Sequence, residues 1–316
     1  MSSHPRVHVV MLTYNHCEYT LQALDSLGKM TYPNYELIVV DNHSTDRTVE
    51  MVEERYPNVT LLVNPSNLGF AAGINSALRL SLDQRADFIL IVNNDILVAS
   101  SLLTHLVAAM EADVGAASPL IYCLDAPKRI WSAGFSKHPL LLEMRGGARG
   151  QIDSGQWRRP FEVDYLLGCA MLLNSAVLRE VGLFDERYFF YYEDLDFSLR
   201  VRRRGYRLVT VPQARMWHKG AGSAESAFRV YQMGRGSVIF FRTHAQGLRR
   251  PAVFLFRSGT ALKKTLEFLL RKRPHLVRHY WRGLLDGWRA FDAARAQVGT
   301  CMQSVAHRPR KENGHA

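Results

Sequence analysis

The sequence predicts an α/β protein built on a parallel sheet, with a separate basic helical extension towards its C-terminal end. Three observations carry this. Between Val7 and Val92, four short apolar runs alternate with helix-like segments, the pattern of βα units whose strands are covered on both faces. Each of those strands runs into a polar loop, and in such sheets ligands bind beyond the carboxyl ends of the strands. The charge is also uneven: residues 242–316 hold 16 Lys/Arg against 4 Asp/Glu, whereas residues 1–241 hold 24 against 25. A near-neutral body is therefore followed by a basic appendage suited to an acidic partner.

The elements follow in order. Val7 to Leu12 predicts the first strand and residues 17–27 the first helix. Tyr35 to Val40 is the second strand, and a helix over about residues 46–55 follows, with Ser44 or Thr45 as its cap and Asp46 a competing one. Val59 to Val63 is a third, short strand. "NLGFAAGINSALRLS" opens the third helix, and Phe88 to Val92 is the fourth strand. Further on, a helix starting at Asp194 places Phe197 and Val201 on one side, and "YRLVTVP" reads as a strand. Pro274 separates two helices in the basic region.

The strand ends converge in composition. The first ends in Thr13-Tyr14-Asn15, the second in Asp41-Asn42, and the third runs into Asn67, Gly69 and Phe70. The fourth ends abruptly in Asn93-Asn94-Asp95. Amides and acceptors suit a base and a ribose, and a carboxylate suits a divalent cation. Asn and Asp also favour turns after strands, but that alternative weakens when all four ends share the bias.

Composition excludes several classes. Apolar residues make up 47% and charged residues 22% of the 316 positions, so the chain is globular rather than disordered. Cys17, Cys123, Cys169 and Cys301 form no CxxC pair, which argues against a zinc knuckle or a disulfide framework and for a reducing, cytoplasmic setting. The start, "MSSHPRVHVVMLTYN", lacks a signal-peptide layout, and no apolar stretch is long enough to span a membrane.

The segments "VVMLTYNHCEYTLQALDSL", "YELIVVDNHSTDRTVEMV", "NPSNLGFAAGINSAL", "FILIVNNDILV", "LLGCAMLLNSAVLREVGLFDERYFFYYEDLDFSLRVRRRGYRLV" and "MWHKGAGS" together resemble the family 2 glycosyltransferases of GT-A fold, and most of all their rhamnosyltransferase-type branch. The likeness covers roughly residues 7–240 in the family's order. It implies an inverting enzyme that takes a nucleotide diphosphate sugar, with dTDP-rhamnose suggested by the branch and UDP-hexoses left open. It also implies Mg²⁺ or Mn²⁺ and a cell-surface glycan or lipid-linked acceptor. On this reading residues 1–98 form the nucleotide-sugar half, residues 99–240 the acceptor half, residues 241–300 the basic extension and residues 301–316 a disordered tail.

The resemblance also assigns roles. Asn93-Asn94-Asp95 takes the place of the DxD-type motif, departing from it in its first acid. Asp95 would hold the metal, with Asn93 and Asn94 on ribose or phosphate oxygens; one acid suffices when a diphosphate supplies further oxygens. Asp41 is expected at the nucleobase, bordered by Thr13, Tyr14 and Asn15, with Asn67, Gly69 and Asn75 at the nucleotide or fixing its loop. Asp194 matches the general base and Glu193 the acceptor contact; capping of the helix is the alternative for both. Asp196 is expected to be structural, paired with an arginine. His218 matches a metal-ligating histidine, and neutral imidazole suits Mn²⁺ better than Mg²⁺. Lys219, the loop 220–223, Arg229 and Arg235 are weaker candidates for the diphosphate. Trp131 and the small residues Gly168, Cys169 and Ala170 belong to the acceptor side.

Residues 250–295 alternate aromatic and aliphatic residues with arginines at helical spacing, which suits an anionic membrane surface. That would place the enzyme peripherally on the inner face of the cell membrane. Packing against the body or a homodimer interface is the alternative; no nucleic-acid-binding module accompanies the charge. Two other classes compete for the whole chain. A catalytically silent nucleotide-sugar-binding protein would bind without turnover, and a nicotinamide oxidoreductase is disfavoured because no GxGxxG follows the first strand.

Overall fold

The computed structural model describes residues 4–220 and 226–306, with side-chain environments up to residue 293. The chain divides into two units, residues 1–224 and 225–316.

In the first unit the expected alternation is present: β1 (Val7–Thr13), α1 (Cys17–Leu27), β2 (Tyr35–Asp41), α2 (Thr48–Arg55), β3 (Thr60–Val63), α3 (Gly69–Asp83) and β4 (Phe88–Asn93). The four strands are parallel and lie in the order β4-β1-β2-β3. Successive residues of β1 and β4 enter opposite apolar layers. Val9, Met11, Leu90 and Val92 pack towards one side, and Val10, Ile89 and Ile91 towards the other. Both faces of a pleated strand are thus covered, which is why these runs are apolar throughout instead of alternating.

Beyond β4 the sheet becomes mixed. β5 (Ile96–Val98), α4 (Leu102–Ala108), β6 (Val114–Cys123), β7 (Ala126–Ser132), β8 (Ser136–Lys137), β9 (Met144–Arg145), β10 (Phe161–Val163), β11 (Ala170–Asn174), α5 (Ser175–Val181), α6 (Glu193–Arg203) and β12 (Arg207–His218) follow. The main sheet reads β10-β12-β6-β11-β4-β1-β2-β3, with β5 on β12 and β7 on β6. β11 runs antiparallel to both β4 and β6. A sheet parallel throughout is therefore found only in the N-terminal half.

Register aligns the strand ends. Thr13 lies opposite Asp41, and Leu12 opposite Asn93. His218 lies opposite Ile96, beside Asp95 in the chain. Of the residues expected to cap α2, Asp46 is the one that does so, and neither Ser44 nor Thr45 performs it. Asp46 Oδ1 accepts the Thr48 N–H at 3.0 Å, while its Oδ2 accepts the Cys17 N–H at 3.1 Å. Asp46 thereby closes the helix entry and ties it to the start of α1.

The second unit is helical: α7 (Ala227–His244), α8 (Arg249–Leu270) and α9 (Pro274–Ala306). α8 and α9 are separated just ahead of Pro274, as expected. α7 groups with these helices, so the body ends ahead of residue 240. The cause is close backbone packing of α7 on α9. A Cβ on Gly283 would lie 2.2 Å from the Tyr231 carbonyl oxygen, and one on Gly287 2.6 Å from that of Arg235. α9 runs past residue 301, and the rest of the tail expected to be disordered, residues 307–316, lies outside the described residues. Among the described residues no helix is long and apolar enough to cross a membrane.

Candidate active site

The edge formed by β1, β2 and β3 is knitted by its own polar side chains. Thr13 is buried, its hydroxyl 2.7 Å from that of Thr20. Asn15, at a positive φ of 58°, accepts the Thr45 N–H at 2.8 Å, and its own N–H donates to Ser44 Oγ at 2.7 Å. Tyr14 alone among these is strongly exposed, at 44%. The polar residues expected at the nucleotide also meet partners within the chain. Asp41 has no exposed surface, and both carboxylate oxygens accept the Ser44 N–H, at 3.0 and 2.8 Å; it shapes the loop after β2. Asn75 is buried in α3, donates to the Phe184 carbonyl and to Glu186, each at 2.9 Å, and accepts the Phe184 N–H at 3.1 Å. It pins a distant loop. Gly69, at φ 77°, sits against Phe189, whose carbonyl oxygen would lie 2.3 Å from a Cβ there; only glycine tolerates that approach. Asn67 is exposed, and its Oδ1 accepts from Asn42 Nδ2 at 2.9 Å and from the Gly69 N–H at 3.0 Å.

Asn42 is the centre of this network, and sequence reasoning underrated it. Its Nδ2 also donates to the Gly69 carbonyl at 3.0 Å, and its Oδ1 accepts from Asn64 Nδ2 and the Leu68 N–H, each at 3.1 Å. A lone Asn after a strand gives no sign of how many loops will meet it.

The end of β4 divides its three polar residues. Asn94 turns inward, donating to the hydroxyls of Thr13 and Thr20 at 3.1 Å each, which locks the β4 loop onto β1 and α1. Asn93 and Asp95 turn towards β12. His218 Nε2 lies 3.3 Å from Asp95 Oδ1 and 3.4 Å from Asn93 Nδ2, and the Lys219 N–H donates to the Asp95 carbonyl at 3.0 Å. His218 is buried and packs on Trp131 at 4.5 Å between ring centroids. Burial holds its pKa below the ordinary histidine value, opposed by Asp95 and aided by Arg149, so the neutral imidazole is favoured. The Arg149 guanidinium lies 5.3 Å from the Trp131 ring centroid. That cation was not legible in the sequence, because its glycine-rich loop carries no periodicity. Lys219 reaches over Tyr19, its Nζ in contact with the hydroxyl and 3.7 Å from the ring centroid. Of the loop 220–223, residues 221–223 lie outside the described residues. Arg229 and Arg235 lie on α7 of the second unit.

The entry of α6 supplies the carboxylates. Tyr191 and Tyr192 adopt φ of 70° and 77°, a left-handed conformation that bulky residues rarely take. That sharp entry delivers Glu193 and Asp194. Asp194 Oδ2 accepts the Gly168 N–H at 3.0 Å and its Oδ1 the Leu195 N–H at 2.8 Å. Desolvation raises the Asp194 pKa, and these backbone donors restrain the rise. Glu193 is buried and Oε2 has no hydrogen-bond partner among the described residues. Burial first, then the charge of Asp194, pushes its pKa well above the usual carboxylate range. Asp196 is structural: it is 1% exposed and accepts from Arg200 Nε at 2.7 Å, while that guanidinium also donates to the carbonyls of Val181, Gly182 and Leu183.

Cys169 links the end of β4 to the entry of α6. Its carbonyl accepts the Asn93 N–H at 3.2 Å, while the preceding residue, Gly168, binds Asp194. Its thiol pKa is pushed up by burial and by the charges of both Asp194 and Asp95, which argues against a nucleophilic role. The arrangement therefore gathers Asp95, His218 and Asp194 around the small residues 168–170. Elsewhere in the first unit, a cavity of about 440 Å³ is lined by Trp157, Phe161, Asp164 and Arg145 among others.

The donor set fits a divalent cation that shares its coordination with a ligand. Asp95 and the neutral His218 converge on one point. No group of three or more His, Cys, Asp or Glu among the described residues makes a complete protein cage. A diphosphate would have to supply the remaining oxygens.

This sheet, closed by a β4-end carboxylate and a carboxylate-led helix, is the plan of a GT-A glycosyltransferase. The glycosyl transferase family 2 model matches residues 8–180, and the chain belongs to that family; its relatives make it rhamnosyltransferase-like. It is 28% identical over 290 residues to an N-acetylglucosaminyl-diphospho-decaprenol L-rhamnosyltransferase of Mycobacterium tuberculosis, covering 82% of this chain and 91% of that protein. It is 26% identical over 215 residues to rhamnosyltransferase WbbL of Escherichia coli, covering 65% and 80%. Among solved structures, the mannosyltransferase PcManGT from Pyrobaculum calidifontis, in complex with GDP-Man and Mn²⁺, superposes with a TM-score of 0.55 at 19% identity over 96% of this chain and 80% of that one. GalNAc-T7 with UDP, GalNAc and Mn²⁺ gives 0.56 at 15% identity over 76% and 50%. These likenesses establish the fold.

Proposed function

We propose that this glycosyltransferase moves rhamnose from dTDP-rhamnose to a hydroxyl of a lipid-linked, cell-surface glycan precursor, with inversion at the anomeric carbon, working peripherally at the inner face of the cell membrane. The donor and acceptor classes rest on the rhamnosyltransferase relatives. The observation that carries the chemistry is the convergence of Asp95 and His218, 3.3 Å apart, with Asp194 linked to the same point through Gly168 and Cys169.

Mg²⁺ or Mn²⁺ would be held by Asp95 and His218; when bound, it offsets the negative charge that grows on the departing diphosphate. Asn93 bonds phosphate or ribose oxygens from its place beside His218, and Asn94 holds the loop that presents it. Thr13, Tyr14 and Asn15 border the base, with Asp41, Asn67 and Gly69 shaping that border. Asp194 takes the proton from the acceptor hydroxyl as its oxygen attacks the anomeric carbon and the bond to the diphosphate breaks on the opposite face. Its raised pKa brings it nearer to the working pH, which favours proton removal. Glu193 lies beside it as the acceptor contact.

A panel of nucleotide sugars with and without Mn²⁺, read by thermal shift and by release of nucleoside diphosphate, tests this. dTDP-rhamnose with Mn²⁺ should give the largest shift and should be turned over when acceptor is present. Binding with no transfer to any acceptor would leave a silent nucleotide-sugar-binding protein; a response to UDP-sugars alone would move the donor.

A further inference from the structure

Trp131 sits one position from the end of β7, and its ring packs on His218 at 4.5 Å between centroids. A glycine-rich loop is fastened to the chain on either side of it. The Gly150 N–H donates to the Ile130 carbonyl at 2.8 Å, the Ile130 N–H to the Gln151 carbonyl at 2.8 Å, and the Ala133 N–H to the Gly147 carbonyl at 2.9 Å. The turn between these anchors is costly to form, because Gly147, Ala148 and Gly150 take φ of 84°, 54° and 85°. Glycine enters that left-handed region freely, whereas alanine pays for it. The turn presents Arg149, whose guanidinium lies 5.3 Å from the Trp131 ring centroid, within cation–π range.

Among the described residues the Arg149 side chain makes no hydrogen bond and no ion pair, and the Trp131 indole N–H has no acceptor. Arg200, Arg202 and Arg207 of the same unit each meet carboxylates instead. The charge of Arg149 acts on the His218 imidazole, so it stands within electrostatic reach of the point where Asp95 and His218 converge. A guanidinium supported by a ring and not through its nitrogens keeps its planar fork of N–H donors for an anion.

The charge at the site indicates which anion. Asp95 cancels half the charge of any divalent ion held there. During transfer the bond between the anomeric carbon and the phosphate oxygen breaks, and its electron pair stays on that oxygen as added negative charge. Fixed cations aimed at charge that develops in the transition state act without reorganisation. β7 and β12 lie on the far side of β4 from β1 and β2, so Arg149 is remote from the nucleoside border and nearer the phosphate that carries the sugar. We infer that Arg149 binds the terminal phosphate of the nucleotide diphosphate and stabilises it as leaving group, with the Trp131 ring holding the guanidinium in place. The inference rests on the nucleotide-sugar reading of the site, and on neither rhamnose nor thymine. A lipid-linked acceptor could bring a diphosphate of its own, so nucleotide binding is measured without acceptor.

The test compares dTDP and dTMP binding to the full chain, by calorimetry with Mn²⁺ and by ligand-observed NMR with EDTA. Arg149→Gln should weaken dTDP by about 10–100-fold and dTMP by no more than about threefold, with metal or without. Arg149→Lys keeps the charge but loses the fork, and should fall between the two. Arg149 is exposed and gives up no hydrogen bond, so thermal unfolding of both variants should stay at the native value. Equal dTDP affinity in the native chain and Arg149→Gln would overturn the inference. So would an equal loss for dTDP and dTMP, or a loss seen only with Mn²⁺, which would make Arg149 a support for His218. A raised acceptor KM with dTDP affinity unchanged would assign the guanidinium to the acceptor's diphosphate and overturn it too. If UDP and UMP bind in place of the thymidine nucleotides, the proposed donor is wrong, and the same ratio measured on them still tests Arg149. A native chain that binds no nucleotide would overturn the proposed function and this inference together.

Discussion

The loops at the β1–β3 edge, rich in Asn and Asp, and the entry to α6, rich in Asp and Glu, are built on opposite lines. At the first edge the polar groups engage one another: Asp41 holds Ser44, Asn42 holds Asn64, Asn67, Leu68 and Gly69, and Asn94 holds Thr13 and Thr20. At α6 two tyrosines sit in a rare backbone conformation, a buried carboxylate has an oxygen without a hydrogen-bond partner among the described residues, and two acids adjoin. Satisfied networks make a rigid, specific frame. Strain and unmet polar groups persist where the surroundings hold them in place, and they cluster where chemistry is done. Within α6 the contrast repeats over three residues, since Asp196 is answered by Arg200 whereas Glu193 Oε2 has no hydrogen-bond partner among the described residues.

Four substitutions break or sharpen that contrast. Asp194→Asn should lower transfer by about 10²–10⁴-fold while leaving nucleotide affinity within about threefold; wild-type turnover would place the base elsewhere. In the native enzyme the acid limb of the rate should lie above the ordinary aspartate range, because burial raises this pKa. Arg200→Ala removes the ion-pair partner of the buried Asp196 and should cost about 3–5 kcal/mol in urea denaturation. Asn75→Ala should cost about 1–3 kcal/mol, with the donor KM within about twofold, which separates a pinning role from a nucleotide contact. Glu193→Gln should be the mildest and of opposite sign. Burial raises the Glu193 pKa in the folded state, so ionising it disfavours folding as pH climbs above the usual glutamate value. The variant escapes that penalty, and at neutral pH its Tm should rise by about 2–4 °C, on the order of 1 kcal/mol. At pH values below the ordinary carboxylate range, where Glu193 is protonated in both states, the gain should vanish.

Much of the first half was legible from the order of residues. A strand buried on both faces must be apolar at every position, so β1, β2 and β4 announce themselves, and short connections leave little choice but parallel neighbours. The second half was less legible. β11 inserts antiparallel beside β4, and β5 folds back on β12; neither pairing leaves a local periodicity. The site divides in the same way. Asp95 and the Glu193-Asp194 pair were conspicuous as acids after apolar or aromatic runs. Asn67, Asn75 and Asp41 looked equally conspicuous; Asp41 meets Ser44 three residues on, whereas Asn75 is held by Phe184 and Glu186 more than a hundred positions away, a distance that no local pattern reports. Arg149 had no local signature at all.

By itself, the sequence determined the strands and helices of the N-terminal half, the family, the acids available for chemistry and the charge of the C-terminal helices. These follow from side-chain period, composition and short motifs, which act over a few residues. Only the tertiary structure decided which polar residues are tied to one another. It brought His218 to Asp95 across more than a hundred positions, and it set Arg149 against the Trp131 ring that packs on His218. Those outcomes depend on sheet register and helix packing, where each group's burial and hydrogen-bond partners are supplied by remote parts of the chain.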